Sequence, residues 1–342
     1  MQAKVMCQMK KCLTRVLKIS ALLLCSMCFV LSCSSKSDTD PENGTGSNQN
    51  NTGEQGSSSS AFVRKVEVVN HIEYRTGNAP LIISVPHDGT ETNDALVKRT
   101  KDNCPDPSFS TAQDVYTIQL ANLIDSIYFA KTGKYPFMVI GRISRKYVDF
   151  NREQKYAVVE GSTKGVGIYS TYHNKAAAAT ASVTDKFGAG LLLDIHGHSH
   201  DIQQIELGYL LKSSILNLSN ESLGSNADYL KKCSIYNLVK TNKSGSNFID
   251  LLRGANSFGS ILYKNGMACI PHSGNLSPGN NSYYSSGHIT ETHGSSNGTG
   301  VVDAIQCEFN RNAREEANRK KTAEAVVTSV IEFMNKHYNL KN

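Results

Sequence analysis

The pattern of apolar and polar positions predicts four buried strands and two amphipathic helices. The strands are apolar runs, rich in β-branched residues and too short for helices; they span Pro80–Val85, Pro136–Ile140, Leu191–Ile195 and Ala304–Phe309. One helix is predicted over Thr111–Lys131, ended by Gly133. Apolar residues at helical spacing from Ala323 to Met334 predict a second. Strands that alternate with helices indicate an α/β sheet with helices on its faces.

The regions 200–235 and 240–300 lack such a pattern. They are rich in serine, asparagine and glycine. We predict long loops there, where functional sites tend to be built. Because no second linker or internal repeat interrupts the chain, one domain is predicted over residues 61–342.

The first 32 residues are predicted to be a lipoprotein signal peptide. Five basic residues precede the 13-residue apolar run Ile19–Leu31, which is shorter than the roughly 20 residues that span a bilayer. The run leads into Cys33 in a context that resembles a lipobox, so we expect cleavage before Cys33 and acylation of its thiol. Residues 34–60 contain no aromatic or aliphatic side chain, which predicts a disordered tether over 33–60. The acidic run Ser37–Asp40 resembles the surface-export signals of Bacteroidetes lipoproteins. It predicts anchoring to the bacterial outer membrane and leaves surface exposure open.

Charge and cysteine content narrow the function further. The net charge is +6; without the five basic residues of the signal, 31 basic face 30 acidic residues. This balance predicts no nucleic-acid partner, and membrane contact only through the lipid anchor. Of nine cysteines, five lie at or before Cys33. The other four form no CxxC pair, so a thiolate zinc site is not expected, and one or two disulfides stay open without an assigned pairing.

Polar side chains stand at the ends of three predicted strands, where ligands bind in open α/β sheets. His87 follows the first strand, and Gly89 would let its ring turn into a cleft. Glu308 shares a face of the last strand with Gln306. A carboxylate there, opposite a metal, can act as general base on water. A histidine in an ordinary turn and a solvent-facing glutamate on an edge strand are the alternatives.

The third strand ends in the run LLLDIHGHSH, with histidines at 196, 198 and 200. If the strand continued, these three would share one face, and zinc is the usual reason for such clustering where cysteine is lacking. Asp194 is expected on the opposite face, as a carboxylate that supports a ligand histidine. A polar surface loop is the alternative.

Two arginines and an asparagine surround a short apolar segment between the first and third strands: Arg145, Asn151 and Arg152. Arginine suits bidentate recognition of carboxylates. The alternative is surface salt bridging.

The motifs VPHDG, QDVYT, SRKYVDFNR, YHNK, LLLDIHGHSH, YYSSGHITETHG and AIQCEFNR, in this order, resemble the N-formylglutamate amidohydrolase family over nearly all of residues 80–312. The resemblance implies the zinc carboxypeptidase fold: α/β, with a mixed, largely parallel sheet flanked by helices. It implies one Zn²⁺ per chain on His87, Asp114 and His196, with Glu91 competing as third ligand, and Glu308 as general base. Further implied roles are catalytic for Arg145 and His293, and substrate-binding for Arg145, Asn151, Arg152, His173 and Arg311.

The function implied is that of a zinc-dependent amidohydrolase. It would cleave an amide of a carboxylate-bearing substrate: an N-acyl or N-formyl amino acid, a γ-glutamyl amide or a cell-wall peptide. One alternative is a zinc carboxypeptidase acting on peptide C-termini. Another is a non-catalytic surface lipoprotein that binds a ligand or metal.

Overall fold

A computed structural model describes residues 62–341 of the chain. The predicted signal peptide over 1–32, the tether over 33–60 and the acylation of Cys33 lie outside the described residues. None of the helices between residues 62 and 341 combines the length and apolar character needed to cross a bilayer.

Eight strands between residues 62 and 341 form one sheet, in the order β1-β2-β4-β3-β5-β8-β6-β7. They span Val66–Val69 (β1), Ile72–Arg75 (β2), Leu81–Val85 (β3), Phe137–Gly141 (β4), Gly190–Gly197 (β5), Ile205–Gly208 (β6), Cys269–Ile270 (β7) and Val302–Phe309 (β8). The central strands β4, β3, β5 and β8 are parallel. Strands β2 and β6 run antiparallel to β4 and β8. The predicted α/β class, with a mixed, largely parallel sheet flanked by helices, is confirmed.

Three long helices cover the sheet, and nine short ones connect its strands in the described part of the chain. The long helices are Thr117–Thr132 (α1), Thr163–Phe187 (α3) and Glu316–His337 (α12). The short helices are Gln154–Ala157 (α2), Ser213–Leu216 (α4), Asn220–Ser225 (α5), Ala227–Lys232 (α6), Tyr236–Thr241 (α7), Phe248–Arg253 (α8), Phe258–Lys264 (α9), His288–His293 (α10) and Arg311–Arg314 (α11).

The central strands read as continuous apolar runs because both of their faces are buried. Ile82 and Leu192 belong to the core beneath α3. Ile83 and Leu193, one position further on, belong to the core beneath α1 and α12. Alternation along each strand therefore fills two separate cores.

The register of the strands aligns the polar residues near their carboxyl ends. Ser84 pairs with Asp194 across β3 and β5. His196 on β5 pairs with Glu308 on β8, which in turn pairs with Glu206 on β6. Paired residues point to the same face of a sheet, so these side chains form a row on the side covered by α3.

The first long helix begins later than predicted, at Thr117 instead of Thr111. Tyr116 has a left-handed φ of 74°. An Asp88 carboxylate oxygen accepts the N–H of Ile118 at 2.9 Å. The segment before Thr117 is therefore not helical, and it carries Asp114 toward the sheet.

The prediction of long loops over 200–235 and 240–300 is wrong for most of both regions, although residues 271–287 contain neither helix nor strand. These regions contain β6, β7 and helices α4 to α10. Their serines and asparagines cap the short helices: Ser219, Asn226, Asn247 and Ser257 each accept a backbone N–H of the first turn. The open question of disulfides is answered for the domain, because Cys104, Cys233, Cys269 and Cys307 are buried free thiols.

Candidate metal centre

His87, Asp114 and His196 come together at the carboxyl edge of the central strands. One nitrogen or oxygen of each lies within 4.8 Å of the others, and we call these residues the cleft cluster. His87 follows β3, His196 lies near the end of β5, and Asp114 lies before α1. The N–H of Asp114 donates to the carbonyl of His87 at 3.1 Å, which ties the loop to the strand end.

Both imidazoles turn the same nitrogen toward Asp114. Its Oδ2 lies 3.3 Å from Nδ1 of His87 and 3.2 Å from Nδ1 of His196. The same oxygen accepts the backbone N–H of Gly197 at 3.2 Å. Two ring nitrogens and a carboxylate oxygen therefore converge on one point.

The other nitrogen of each ring donates to a second, buried carboxylate. Nε2 of His87 lies 2.8 Å from Asp149 Oδ1, and Nε2 of His196 lies 2.8 Å from Asp194 Oδ2. Ser84 donates to Asp194 Oδ1 at 2.7 Å. Histidine ligands of metals are commonly held from behind in this way, which fixes the ring and leaves the first nitrogen for the ion.

Two geometric expectations for the LLLDIHGHSH run are corrected. Asp194 lies on the same face as His196, because residues two apart on a strand share a face. The three histidines do not all share one face of a continuing strand, since β5 ends at Gly197. His198 and His200 instead approach Glu206 on β6.

Electrostatic coupling in the cleft cluster is strong. Burial alone would raise the pKa of Asp114, but His87 and His196 bring it below its ordinary value. Burial alone would lower the pKa of His196, but Asp194 and Asp114 hold it well above its ordinary value. The charges of Asp114 and His196 therefore stabilise each other.

The donor set fits a catalytic zinc site. Two imidazoles and one carboxylate are ligands that Zn²⁺ accepts, and three protein ligands leave a position open to substrate. The three side chains are buried yet line a cleft. A divalent cation would replace the contacts of the two ring nitrogens with Asp114 Oδ2.

Glu308 stands beside this cluster and lines the same cleft. Its Oε1 lies 4.0 Å from Nδ1 of His196 and accepts from Gln306 Nε2 at 2.9 Å. Burial raises the pKa of Glu308 to about 8; His196 opposes the shift, and Asp114 is the foremost of the carboxylates that add to it. This carboxylate is therefore able to hold a proton near neutral pH.

Arg145 contributes positive charge to the wall of the cleft. Its Nε pairs with Asp149 Oδ2 at 2.8 Å, and Nη1 of Arg99 approaches the same oxygen at 3.5 Å. Burial would raise the pKa of Asp149, but Arg145 and His87 hold it well below its ordinary value. Two guanidinium groups therefore share one carboxylate at the wall of the cleft.

Asn151 and Arg152 also line the cleft, in roles that differ from a simple clamp. Asn151 accepts the N–H of Ile289 at 2.9 Å and donates to Gln306 at 3.2 Å. Arg152 uses all three of its nitrogens on Asp106, the carbonyl of Asn151 and the carbonyl of Ser108. Arg152 therefore holds the wall together, whereas Arg145 is the better placed to meet an anion.

The cleft has a volume of about 1040 Å³. Its lining includes the segment 106–110 and residues near the start of α10. Polar residues from outside the central strands complete the lining, among them Lys232, Tyr284 and Asn297. A volume of this size is at the upper end of the range for ligand pockets.

His173 and His293 do not line the cleft. His173 Nδ1 lies 3.0 Å from His293 Nε2, and the rings stack at 5.3 Å. Burial lowers the pKa of His173 to about 3 and that of His293 to about 4, so both rings are neutral near pH 7. His288, their neighbour, is the histidine of this group that reaches the cleft.

Two further candidates lie away from the cluster. Arg311 pairs with Glu315 at 3.0 Å in an exposed position and does not line the cleft. Glu91 pairs with His71 and Arg142, both at 2.7 Å. Asp114, and not Glu91, therefore accompanies the two histidines.

Sequence reasoning assigned no role to several residues that support the site. Asp149 lies inside the SRKYVDFNR motif, so the motif located it without indicating its contact with His87. Ser84 and Arg99 gave no signal, because their partners are distant in sequence. Glu206 gave a weak signal, because it is a single acidic residue between two aliphatic residues in the run IEL.

Comparisons with known proteins give fold-level similarity only. Neither a protein-family model nor a curated protein matches the sequence. The N-formylglutamate amidohydrolase from Ralstonia eutropha JMP134 is similar with a TM-score of 0.46 and 12% identity, over 78% of this chain and 99% of that one. A gene product of Agrobacterium tumefaciens gives 0.40 and 11%, over 79% and 94%. The N-acetylmuramyl-L-alanine amidase from Mycobacterium abscessus gives 0.30 and 12%, over 74% and 98%. Since each TM-score is below 0.5, the functional argument below is built on the geometry of the site.

Proposed function

We propose that this chain is a metal-dependent hydrolase that cleaves an amide bond of a carboxylate-bearing substrate. The observation that carries the proposal is the convergence of Nδ1 of His87 and Nδ1 of His196 on Asp114 Oδ2. The Nε2 atom of each ring contacts a buried carboxylate, that of Asp149 for His87 and that of Asp194 for His196. Such an arrangement has little structural purpose without an ion, since it buries several ionisable groups at once.

The residues of the cleft divide the chemistry among themselves. His87, Asp114 and His196 would hold one zinc ion, which supplies Lewis acidity to a substrate carbonyl and to water. A cation at the cleft cluster would lower the pKa of Glu308, on the adjacent strand. Its carboxylate would then accept a proton from the attacking water and deliver it to the leaving nitrogen. One amide and one water thus become a carboxylic acid and an amine.

Recognition of an anionic substrate is assigned to Arg145. The guanidinium of Arg145 lines the cleft and favours a negatively charged group on its cleft side. Binding of a carboxylate there would fix the scissile amide relative to the cleft cluster. Candidate substrates are N-acyl amino acids, γ-glutamyl amides and cell-wall peptide fragments.

A zinc carboxypeptidase acting on peptide C-termini is the second candidate. The volume of about 1040 Å³ favours it, because this space exceeds what a short N-acyl amino acid fills. Both activities would use the same cluster, base and arginine. They differ in the acyl side of the scissile bond, which is a short acyl group in an N-acyl amino acid and a peptide chain in a carboxypeptidase substrate.

The place of action is proposed from the amino-terminal sequence alone. A lipoprotein signal ending at Cys33 would anchor the domain to the outer membrane through the predicted tether. The substrate would then be an exported or environmental compound instead of a cytoplasmic metabolite.

The proposal is tested with the full chain loaded with Zn²⁺ and offered N-formyl and N-acetyl amino acids, γ-glutamyl amides and unblocked peptides. Release of free amine measures turnover. Glu308→Gln is expected to lose about 10²-fold or more in kcat, because the proton acceptor is gone, while its zinc content is unchanged. Glu332→Gln, an exposed position on α12, is the matched control.

Cleavage of acyl-amino acids but not of free peptide C-termini would favour the amidohydrolase, and the reverse would favour the carboxypeptidase. Full turnover by Glu308→Gln would contradict the role given to that residue. A zinc-loaded wild type that releases amine from none of these substrates would contradict the proposed function.

A further inference from the structure

A second group of metal-ligating side chains lies on the far side of Glu308 from the cleft cluster. His198, His200 and Glu206 place one ligand atom each within 4.8 Å of one another, and we call them the β6 cluster. Glu206 is the Cα partner of Glu308, and Glu308 is that of His196. At a strand spacing of about 4.8 Å, the two clusters lie two strands apart, on the order of 10 Å.

The hydrogen bonds of His198 orient its ring toward Glu206. Its Nε2 lies 2.8 Å from the carbonyl oxygen of Gln204. Since a carbonyl only accepts, Nε2 carries the proton and Nδ1 keeps its lone pair. That Nδ1 lies 3.8 Å from Glu206 Oε1 and receives the backbone N–H of His200 at 3.1 Å, a bond that an ion would replace.

Glu206 divides its two oxygens between the backbone and the histidines. Oε2 accepts the N–H of Tyr284 at 2.8 Å. Oε1 lies 2.7 Å from Nδ1 of His200. Glu206 is 1% exposed, and its salt bridges within residues 62–341 are to histidines alone. Burial of a carboxylate that is paired with imidazoles, and with neither arginine nor lysine among the described residues, is costly unless a cation joins them.

We propose that the β6 cluster is a second site for a divalent transition-metal ion such as Zn²⁺, held by His198 Nδ1, the imidazole of His200 and Glu206 Oε1. Two imidazoles and one carboxylate are the same donor set as in the cleft cluster. The side chain of His200 is 20% exposed, which gives the ion a path from solvent.

The ion at this site fastens the chain between β5 and β6 and supports one wall of the cleft. His198 and His200 belong to the connection, whereas Glu206 belongs to β6. Tyr284, which lines the cleft, stacks on His200 at 4.5 Å and is bonded through its N–H to Glu206. The site is therefore structural, and it acts on the cleft by positioning Tyr284.

The test measures the number of zinc ions bound per chain. The full chain is stripped with a chelator, titrated with Zn²⁺ alone in a calorimeter, and assayed for bound zinc after desalting. The wild type is expected to bind two ions. His200→Phe, which keeps an aromatic ring for Tyr284 to stack on, is expected to bind one, as is Glu206→Gln, which keeps the acceptor for the N–H of Tyr284. His71→Gln, at a surface histidine–glutamate pair of the same 2.7 Å length, is the matched control and keeps two.

Asp114→Asn separates this proposal from the proposed function. It removes the carboxylate of the cleft cluster and is expected to retain the β6 ion alone. A single ion in the wild type that is lost in Asp114→Asn and kept in His200→Phe would overturn the proposal and leave the proposed hydrolase intact. Binding of two ions by both His200→Phe and Glu206→Gln would also overturn the proposal. Circular dichroism of each variant reports whether the fold is retained.

Discussion

Two histidine-rich clusters lie two strands apart in one sheet, with β8 between them, and use the same donor types, but they differ in what supports the imidazoles. In the cleft cluster, carboxylates of Asp149 and Asp194 accept from the rings. In the β6 cluster, the support of His198 is a main-chain carbonyl. A carboxylate makes a ligand histidine more basic and fixes it more firmly than a carbonyl does.

The clusters also differ in access. All three residues of the cleft cluster line the large cleft, whereas none of the β6 cluster does. A metal can act on a substrate only where both meet, so the difference in access separates a catalytic site from a structural one. The donor types of the side chains therefore indicate where an ion can bind, and access to the cleft decides whether that ion can act on a substrate.

The largest expected difference between the clusters is in activity. His196→Ala removes a ligand of the catalytic ion, and we expect a loss on the order of 10³-fold or more in kcat/KM. His200→Phe removes a ligand beside the cleft, and we expect a loss below about tenfold. Steady-state amine release from one substrate checks both variants. Equal losses would break the distinction between a catalytic and a structural site.

Removal of the support behind a ligand is expected to have a smaller effect. Asp194→Asn keeps the shape of the side chain but weakens its hold on His196, and we expect zinc affinity at the cleft cluster to fall about 10- to 100-fold. The matched variant Gln204→Ala leaves the carbonyl that holds His198 in place, so affinity at the β6 cluster should not change. Competition with a chromogenic chelator measures both affinities. An unchanged affinity in Asp194→Asn would show that this carboxylate does not support the ligand.

The sequence predicts the sheet and the site where local patterns carry the information. The apolar runs at 80–85, 136–140, 191–195 and 304–309 all coincide with central strands, because continuous burial leaves a continuous apolar pattern. Because parallel strands end at the same edge, the positions of His87 and His196 at strand ends predict that the two side chains lie close together.

The sequence does not predict the short helices or the contacts between residues that lie far apart along the chain. Helices such as α8 contain only six residues, which is too few for a helical pattern of apolar positions. Asn247 is typical of a loop, although it caps the amino terminus of α8. The approach of Glu206 to His200 depends on the order of the strands, and so does the support of His87 by Asp149. No local pattern encodes either contact.

Gly197 links the two clusters, and its replacement is expected to disturb both. A Cβ at this position would lie 2.4 Å from Cζ of Arg314. Arg314 donates to the carbonyl of Phe309 at 3.0 Å and to that of His198 at 3.2 Å, so it cannot move without cost. We expect Gly197→Ala to lower the free energy of unfolding by about 1–3 kcal/mol and to weaken zinc binding at both sites. Gly167→Ala, where a Cβ meets no atom within 4 Å on helix α3, should be neutral or slightly stabilising. Urea denaturation compares the two, and equal stabilities would contradict the role of Gly197.

The last prediction concerns the opposite end of β8, where a buried carboxylate is hydrogen-bonded to no histidine within residues 62–341. Asp303 accepts from Ser295 Oγ at 2.6 Å and from the N–H of Leu238 at 3.0 Å, and burial raises its pKa to about 7. The folded protein therefore keeps a proton that the unfolded chain, with a pKa near about 4, releases. The stability from this proton is fully present below pH about 4 and is lost as the pH rises to about 7, at no more than about 1.4 kcal/mol per pH unit. Asp303→Asn should flatten this slope between pH 5 and 7, whereas the exposed control Asp185→Asn should keep it. Thermal unfolding of the metal-free protein at three pH values measures the slope, and identical slopes for wild type and Asp303→Asn would mean that a buried carboxylate here stays charged without an imidazole partner.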